Sequence, residues 1–118
     1  MRLLELIDEN AAPGLILRNR DKAAEIDVTG LSADSREVRA GFVFAAFPGA
    51  KVDRRAFIAD ALARGAAAVL VPRGTEVAEA ANGNVVVIED DNPRRRFSLM
   101  AAKFYGRQMG TIAAVTGT

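Results

Sequence analysis

Gly30-Leu31-Ser32-Ala33-Asp34-Ser35-Arg36-Glu37-Val38-Arg39-Ala40-Gly41-Phe42-Val43-Phe44-Ala45-Ala46-Phe47-Pro48-Gly49-Ala50-Lys51-Val52-Asp53 is the stretch on which the fold is decided. Leu31–Arg36 reads as the rim of a strand, dense in hydroxyl and carboxylate groups. Val38–Gly41 turns the chain, and Phe42–Phe47 is an apolar run of strand length, apolar on both faces and therefore interior to a sheet. Pro48-Gly49 stops it, and Asp53 opens a helix as N-cap, its carboxylate able to accept from the free amides of the first turn. Two loops, Ala33–Arg36 and Gly49–Asp53, thus leave the ends of neighbouring extended segments, where small ligands tend to sit.

Outward from this stretch the same alternation continues. Arg2–Glu9 carries Leu3, Leu4 and Ile7 on one helical face and Glu5, Asp8 and Glu9 on the other. Leu15–Glu25 has no clean period and reads as loop with a short strand. Ile26–Leu31 alternates with a slip at Gly30, a strand with a bend. Downstream, Phe57, Ile58, Ala61 and Leu62 recur at helical spacing up to a Gly65 cap, and Ala67–Val71 is a buried strand ending at Pro72. A turn of helix is expected around Thr75–Ala81, then a strand at Val85–Ile88. Asn92-Pro93 starts a helix, with proline where its missing N–H costs nothing. Phe97, Met100, Ala101 and Phe104 form that helix's core stripe, and Gly106 is expected to end it. Thr111–Val115 is a short apolar strand running into Thr116-Gly117-Thr118. Strands alternating with helices predict an α/β fold, a small mixed sheet flanked by helices in two or three layers.

Composition narrows the chemistry. The 118 residues suit one domain, with 16 basic against 15 acidic side chains and a net charge of +1. That balance gives no electrostatic reason to expect nucleic acid or a membrane surface. Without cysteine or histidine there are no disulfides, thiolate nucleophiles, histidine bases or zinc sites of the usual ligand types. No segment reaches the roughly 18–20 apolar residues of a membrane helix, and the acidic first ten residues are no signal peptide. Cytoplasm is the expected location. From residues alone, Ser35 is first a turn hydroxyl and second a ligand contact. Asp34 and Arg36, two apart on an extended segment, point to the same face and can pair with each other or with neighbours. Arg54 and Arg55, like Arg94, Arg95 and Arg96, read as solvated helix faces, and Tyr105 as a domain-interface residue. A strand followed by Thr116-Gly117-Thr118 is also how a phosphate-binding loop begins, although a strand before any turn looks the same.

The ordered set Thr29–Arg36, Val38–Gly41, Phe42–Ala46, Pro48-Gly49, Asp53, Phe57-Ile58 and Gly65–Leu70 resembles the N-terminal domain of the Mur ligases of peptidoglycan synthesis, a Rossmann-like unit. Ala101–Gly106 followed by Ile112–Thr118 is most similar to the MurE-type branch, which adds diaminopimelate or lysine to UDP-N-acetylmuramoyl-L-alanyl-D-glutamate. The resemblance implies a UDP-substrate-binding domain over 1–110. It also implies that 111–118 is the first strand and P-loop start of a central ATPase domain, with a C-terminal domain beyond. It implies cytoplasmic ligase chemistry in cell-wall biogenesis, cell shape and division. In that chemistry ATP phosphorylates a substrate carboxylate, and an amine attacks the acyl phosphate to form an amide. Magnesium, a P-loop lysine and a carbamylated lysine support that reaction in the family, and none falls within these residues. The piece alone is therefore expected to be inactive and to bind no cofactor.

By motif matching, Ala33 and Ser35 fall where the family contacts UDP, as do Ala50, Lys51 and Val52 on the second loop, while Thr116, Gly117 and Thr118 begin the ATP loop. Ser35 would donate to a diphosphate oxygen, the 49–52 backbone would read the uracil edge, and Lys51 would add a mobile cation. Where many relatives have His or Asn and then Gly, this chain has Ala50 and Arg54, so residue 50 has only backbone to offer. Two other readings stand beside this one: the first domain of the D-alanyl-D-alanine-adding Mur ligase, and a stand-alone α/β interaction module without a nucleotide site.

Overall fold

Short runs of valine, alanine and isoleucine, apolar on both faces, can satisfy their backbones only inside a sheet covered on each side. The computed structural model, which describes residues 2–7, 15–47, 54–75, 77 and 85–108, shows that sheet. Its elements are α1 (Leu3–Ile7), β1 (Leu15–Arg18), α2 (Arg20–Ala23), β2 (Gly30–Ser32), a 3-10 turn (Ser35–Glu37), β3 (Phe42–Ala45), α3 (Arg54–Ala63), β4 (Ala68–Pro72), β5 (Val86–Asp90) and α4 (Pro93–Gln108). The five strands lie in the order β1-β5-β4-β3-β2. β2 to β5 are parallel and β1 is antiparallel to β5. The sheet is mixed, as expected.

Each parallel strand moves one place in the same direction, so crossovers of one hand must all lie on one face. They do. Val38 from the β2–β3 connection, Ile58 and Ala61 from α3, and Val77 and Val85 from the β4–β5 connection pack on Phe44, Val69, Val71 and Val87. The opposite face, formed by Val43, Ala45, Ala68, Leu70, Val86 and Ile88, is covered by Leu3, Leu6 and Ile7 of α1 and by Met100 and Phe104 of α4. Of the two architectures expected, the molecule takes the three-layer one. Each fully buried aliphatic side chain contributes about 1.5–3 kcal/mol, which makes the two cores the main stabilising term.

The helix start at Asn92-Pro93 is set by local contacts. The Asn92 side chain accepts from the Arg95 amide at 3.1 Å, and the Asn92 carbonyl from the Arg96 amide at 3.0 Å. Asn92→Ala should cost about 1 kcal/mol, read as a shift in urea midpoint at constant slope. An unchanged midpoint would show that the cap adds nothing.

Several expectations are corrected. Leu15–Glu25 holds the short strand expected, at the sheet edge, but also a short helix where loop was expected; its alternate residues Leu15 and Leu17 pack on the core while Ile16 and Arg18 face outward. The 26–31 segment joins the sheet only from Gly30, because the Ile26 carbonyl accepts from the Leu3 amide and Asp27 bridges Arg2. On α1 Leu6 is buried with Leu3 and Ile7, and Leu4 only partly. Phe57 is exposed, since it lies about 100° around α3 from Ile58. Gly106 does not stop α4, which continues to Gln108; it lacks the positive φ found at Gly41, Gly65 and Gly74. The Asp53 cap, most of the Thr75–Ala81 turn, the Thr111–Val115 strand and the 110/111 division lie outside the described residues.

Candidate functional site

Because β2 to β5 are parallel, their C-terminal ends share one edge of the sheet, at Ser32, Ala45, Pro72 and Asp90. The 33–36 loop leaves this edge from β2, next to the end of β3. Ser32, the last residue of β2, closes the loop: its Oγ accepts from the Asp34 amide at 3.0 Å and donates to the Asp34 carbonyl at 3.1 Å. Asp34 caps the 3-10 turn by accepting from the Arg36 amide at 2.9 Å. Its carboxylate is also forked by the Arg36 guanidinium, with Nε on Oδ1 at 3.1 Å and Nη2 on Oδ2 at 2.9 Å. Of the pairings open to the two residues, the one with each other forms, on a turn instead of an extended segment. The hydrogen bonds from the Arg36 side chain, then from its amide, hold the Asp34 carboxyl below the usual carboxylate range.

Ala33 is exposed on the bend after β2. Ser35 is 95% buried, with 5% relative exposure, and its carbonyl accepts from the Val38 amide at 3.2 Å. Its hydroxyl has no hydrogen-bond partner among the described residues, so the self-bonding turn hydroxyl read from the sequence is corrected. A buried polar atom with an unused donor calls for a partner. Ala50, Lys51 and Val52, and likewise Thr116, Gly117 and Thr118, lie outside the described residues, as do the side chains of Arg54 and Arg55.

The exit of β3 is fixed by contacts that the sequence did not announce. The Phe47 ring meets Phe97 edge-on at 5.4 Å, and the Arg94 guanidinium carbon sits 4.7 Å from its centroid, a cation–π arrangement. Arg96 is buried and its Nε donates to Asp90 Oδ2 at 2.8 Å. Arg94 and Arg95 are exposed, as expected of a solvated face, and Arg96 alone of the trio is buried. Glu89, also buried, accepts from the Gly74 amide at 2.9 Å and pairs with Arg18. Tyr105 keeps 43% exposure and its hydroxyl donates to the Leu31 carbonyl at 3.4 Å. It thus touches β2, the last strand in the order formed by the described residues. No group of three or more acidic, histidine or cysteine side chains suited to a metal occurs among the described residues. No described helix is long and apolar enough to cross a membrane.

The family model for the Mur ligase family, catalytic domain, matches residues 27–105. The chain belongs to the Mur ligase family. Curated Mur ligases align along most or all of it. The UDP-N-acetylmuramoyl-L-alanyl-D-glutamate--2,6-diaminopimelate ligase of Brucella melitensis is 41% identical, over 100% of this chain and 22% of that protein. Its counterpart in Rhizobium meliloti is 44% identical, over 100% and 23%, and that of Caulobacter vibrioides 45%, over 86% and 20%. The chain thus spans about a fifth of the length of the curated relatives it matches. Two crystal structures of MurF from Acinetobacter baumannii share the fold, with TM-scores of 0.56 and 0.58 at 19% and 18% identity. They cover 80% and 84% of this chain and 18% and 19% of those chains.

Proposed function

We propose that this chain is the UDP-holding part of a Mur ligase that adds 2,6-diaminopimelate, or lysine in its place, to UDP-N-acetylmuramoyl-L-alanyl-D-glutamate. The observation that carries the binding role is the Ser35 hydroxyl, buried and without a partner among the described residues at the strand-end edge of a parallel sheet. Relatives named for diaminopimelate addition, 40–45% identical, favour that substrate over the D-alanyl-D-alanine-adding alternative.

Ser35 donates to a diphosphate oxygen, and the 50–52 amides, with Lys51 as a nearby cation, meet the rest of the nucleotide. Grip on the uridine end is remote binding energy that positions the far carboxylate for reaction. In the parent enzyme that carboxylate attacks the γ-phosphorus of ATP, ADP leaves, and the incoming amine displaces phosphate to give the amide. ATP and magnesium serve that step on protein other than the described residues, with Thr116–Thr118 opening the ATP loop. The setting is cytoplasmic cell-wall synthesis.

Titrating UDP into the chain should shift the amide resonances of Ser35 and residues 50–52. Ser35→Ala should weaken binding roughly tenfold or more, the worth of a hydrogen bond to a charged group. Silence of all these amides at millimolar UDP would support the interaction-module alternative instead.

A further inference from the structure

The residues on either side of Ser35 are tied down, while its hydroxyl has no hydrogen-bond partner among the described residues. On one side Ser32 grips both backbone groups of Asp34. On the other, Arg36 is held by its amide and its guanidinium fork on Asp34. A third tie comes from α3, where Arg64 donates from Nη1 to the Arg36 carbonyl at 3.4 Å. Arg64 is itself aimed by Asp60, whose two carboxylate oxygens lie 3.2 Å from its Nε. The Asp34–Arg36 pair is open to solvent, with side-chain exposures of 36% and 82%, and exposed pairs add little to global stability. What the fork does is restrict the backbone on both sides of one buried serine, and restriction before binding is a route to affinity.

We propose that Asp34, Arg36 and Arg64 are positioning residues of the nucleotide site, locking the Ser35 backbone so that its hydroxyl meets the diphosphate of a nucleoside diphosphate already oriented. This rests on the UDP-binding reading above. The clamp acts through Ser35 and touches no ligand itself. It is closed at neutral pH. Asp34 has a lowered carboxyl pKa in the folded chain, so the fork opens only as pH falls through that lowered value.

The test is calorimetric titration of UDP into the 118-residue chain and into Ser35→Ala, Arg36→Gln, Arg36→Lys and the Ser35→Ala/Arg36→Gln double variant. Arg36→Gln should weaken UDP about fivefold to tenfold while its thermal midpoint stays within about 2 °C of the parent. Arg36→Lys should fall between, because an ammonium cannot fork a carboxylate. The double variant should bind no more weakly than Ser35→Ala, since the two residues act as one unit. Asp34 should titrate below the ordinary carboxylate value by NMR and return toward it in Arg36→Gln. If Arg36→Gln binds like the parent while Ser35→Ala does not, the clamp is wrong and the nucleotide site stands. If the two losses multiply, Arg36 acts independently of Ser35 and the positioning role is overturned. If the parent chain itself ignores UDP, the nucleotide reading fails and the clamp with it.

Discussion

Asp90→Ala should destabilise the chain by about 3–5 kcal/mol, the cost of stranding one member of a buried ion pair. Asp90 ends β5 at 4% exposure and Arg96 sits in the first turn of α4 at 6%. Removing the carboxylate leaves the guanidinium buried without its 2.8 Å partner. It also removes the acceptor of the Asn92 amide, which donates to Asp90 Oδ1 at 2.8 Å and sets the chain up for the helix. A domain of this size has about 5–15 kcal/mol in total, so the variant should lose about 10–20 °C in midpoint. Urea unfolding measures it, with exposed Arg95→Ala as the control expected within about 0.5 kcal/mol of the parent. Asp90→Asn/Arg96→Met should be less damaging than Arg96→Met alone, because it removes both charges and keeps an acceptor for the Asn92 amide. A loss below about 1 kcal/mol for Asp90→Ala would mean that the arginine finds water, and that the pair is not buried in solution.

Gly65→Ala should cost about 3 kcal/mol, combining a strained backbone with overpacking. Gly65 follows α3 at φ +108°, a region that L side chains avoid. A Cβ there would lie 2.9 Å from the Ala40 Cα and 3.1 Å from the Ala40 nitrogen, backbone atoms that cannot swing away. The helix end is closed by the Gly65 amide on the Leu62 carbonyl at 3.1 Å and the Ala66 amide on the Ala61 carbonyl at 3.0 Å, a paired C-terminal cap. The Gly65 carbonyl in turn accepts from the Gly41 amide at 3.1 Å, joining the end of α3 to the turn before β3. Gly74→Ala isolates the backbone term, since Gly74 shares a positive φ of 87° and a Cβ there would meet nothing within 4 Å. It should cost clearly less. Equal losses for the two would rule out the clash with Ala40.

The arginine trio at 94–96 shows how far a linear reading reaches. Consecutive residues step about 100° around a helix, so three adjacent cations cannot share one environment. Arg96 falls on the stripe of Met100 and Phe104 at i+4 and i+8, a helical spacing that is present in the sequence. No local pattern could name Asp90 as its partner, or bring Phe47 under Arg94 from another element. Leu15–Arg18 carries little local signal for a related reason. An edge strand with one face on the core needs only two apolar positions, and its pairing with β5 is long-range.

What the sequence alone determined is what a few neighbouring residues can enforce: the cap at Asn92, the stop at Gly65, the buried runs of β3, β4 and β5, and the ordered motifs of the Mur ligase family. Tertiary structure decided which polar groups are spent and which are left over. Ser35 looked like an ordinary turn hydroxyl until Ser32, Asp34, Arg36 and Arg64 were seen to use their own donors and acceptors on each other and on the loop backbone around it. Burial and hydrogen-bond satisfaction depend on atoms that arrive from distant positions in the chain. A buried donor without a partner is therefore a property of the folded molecule, invisible to any window along it.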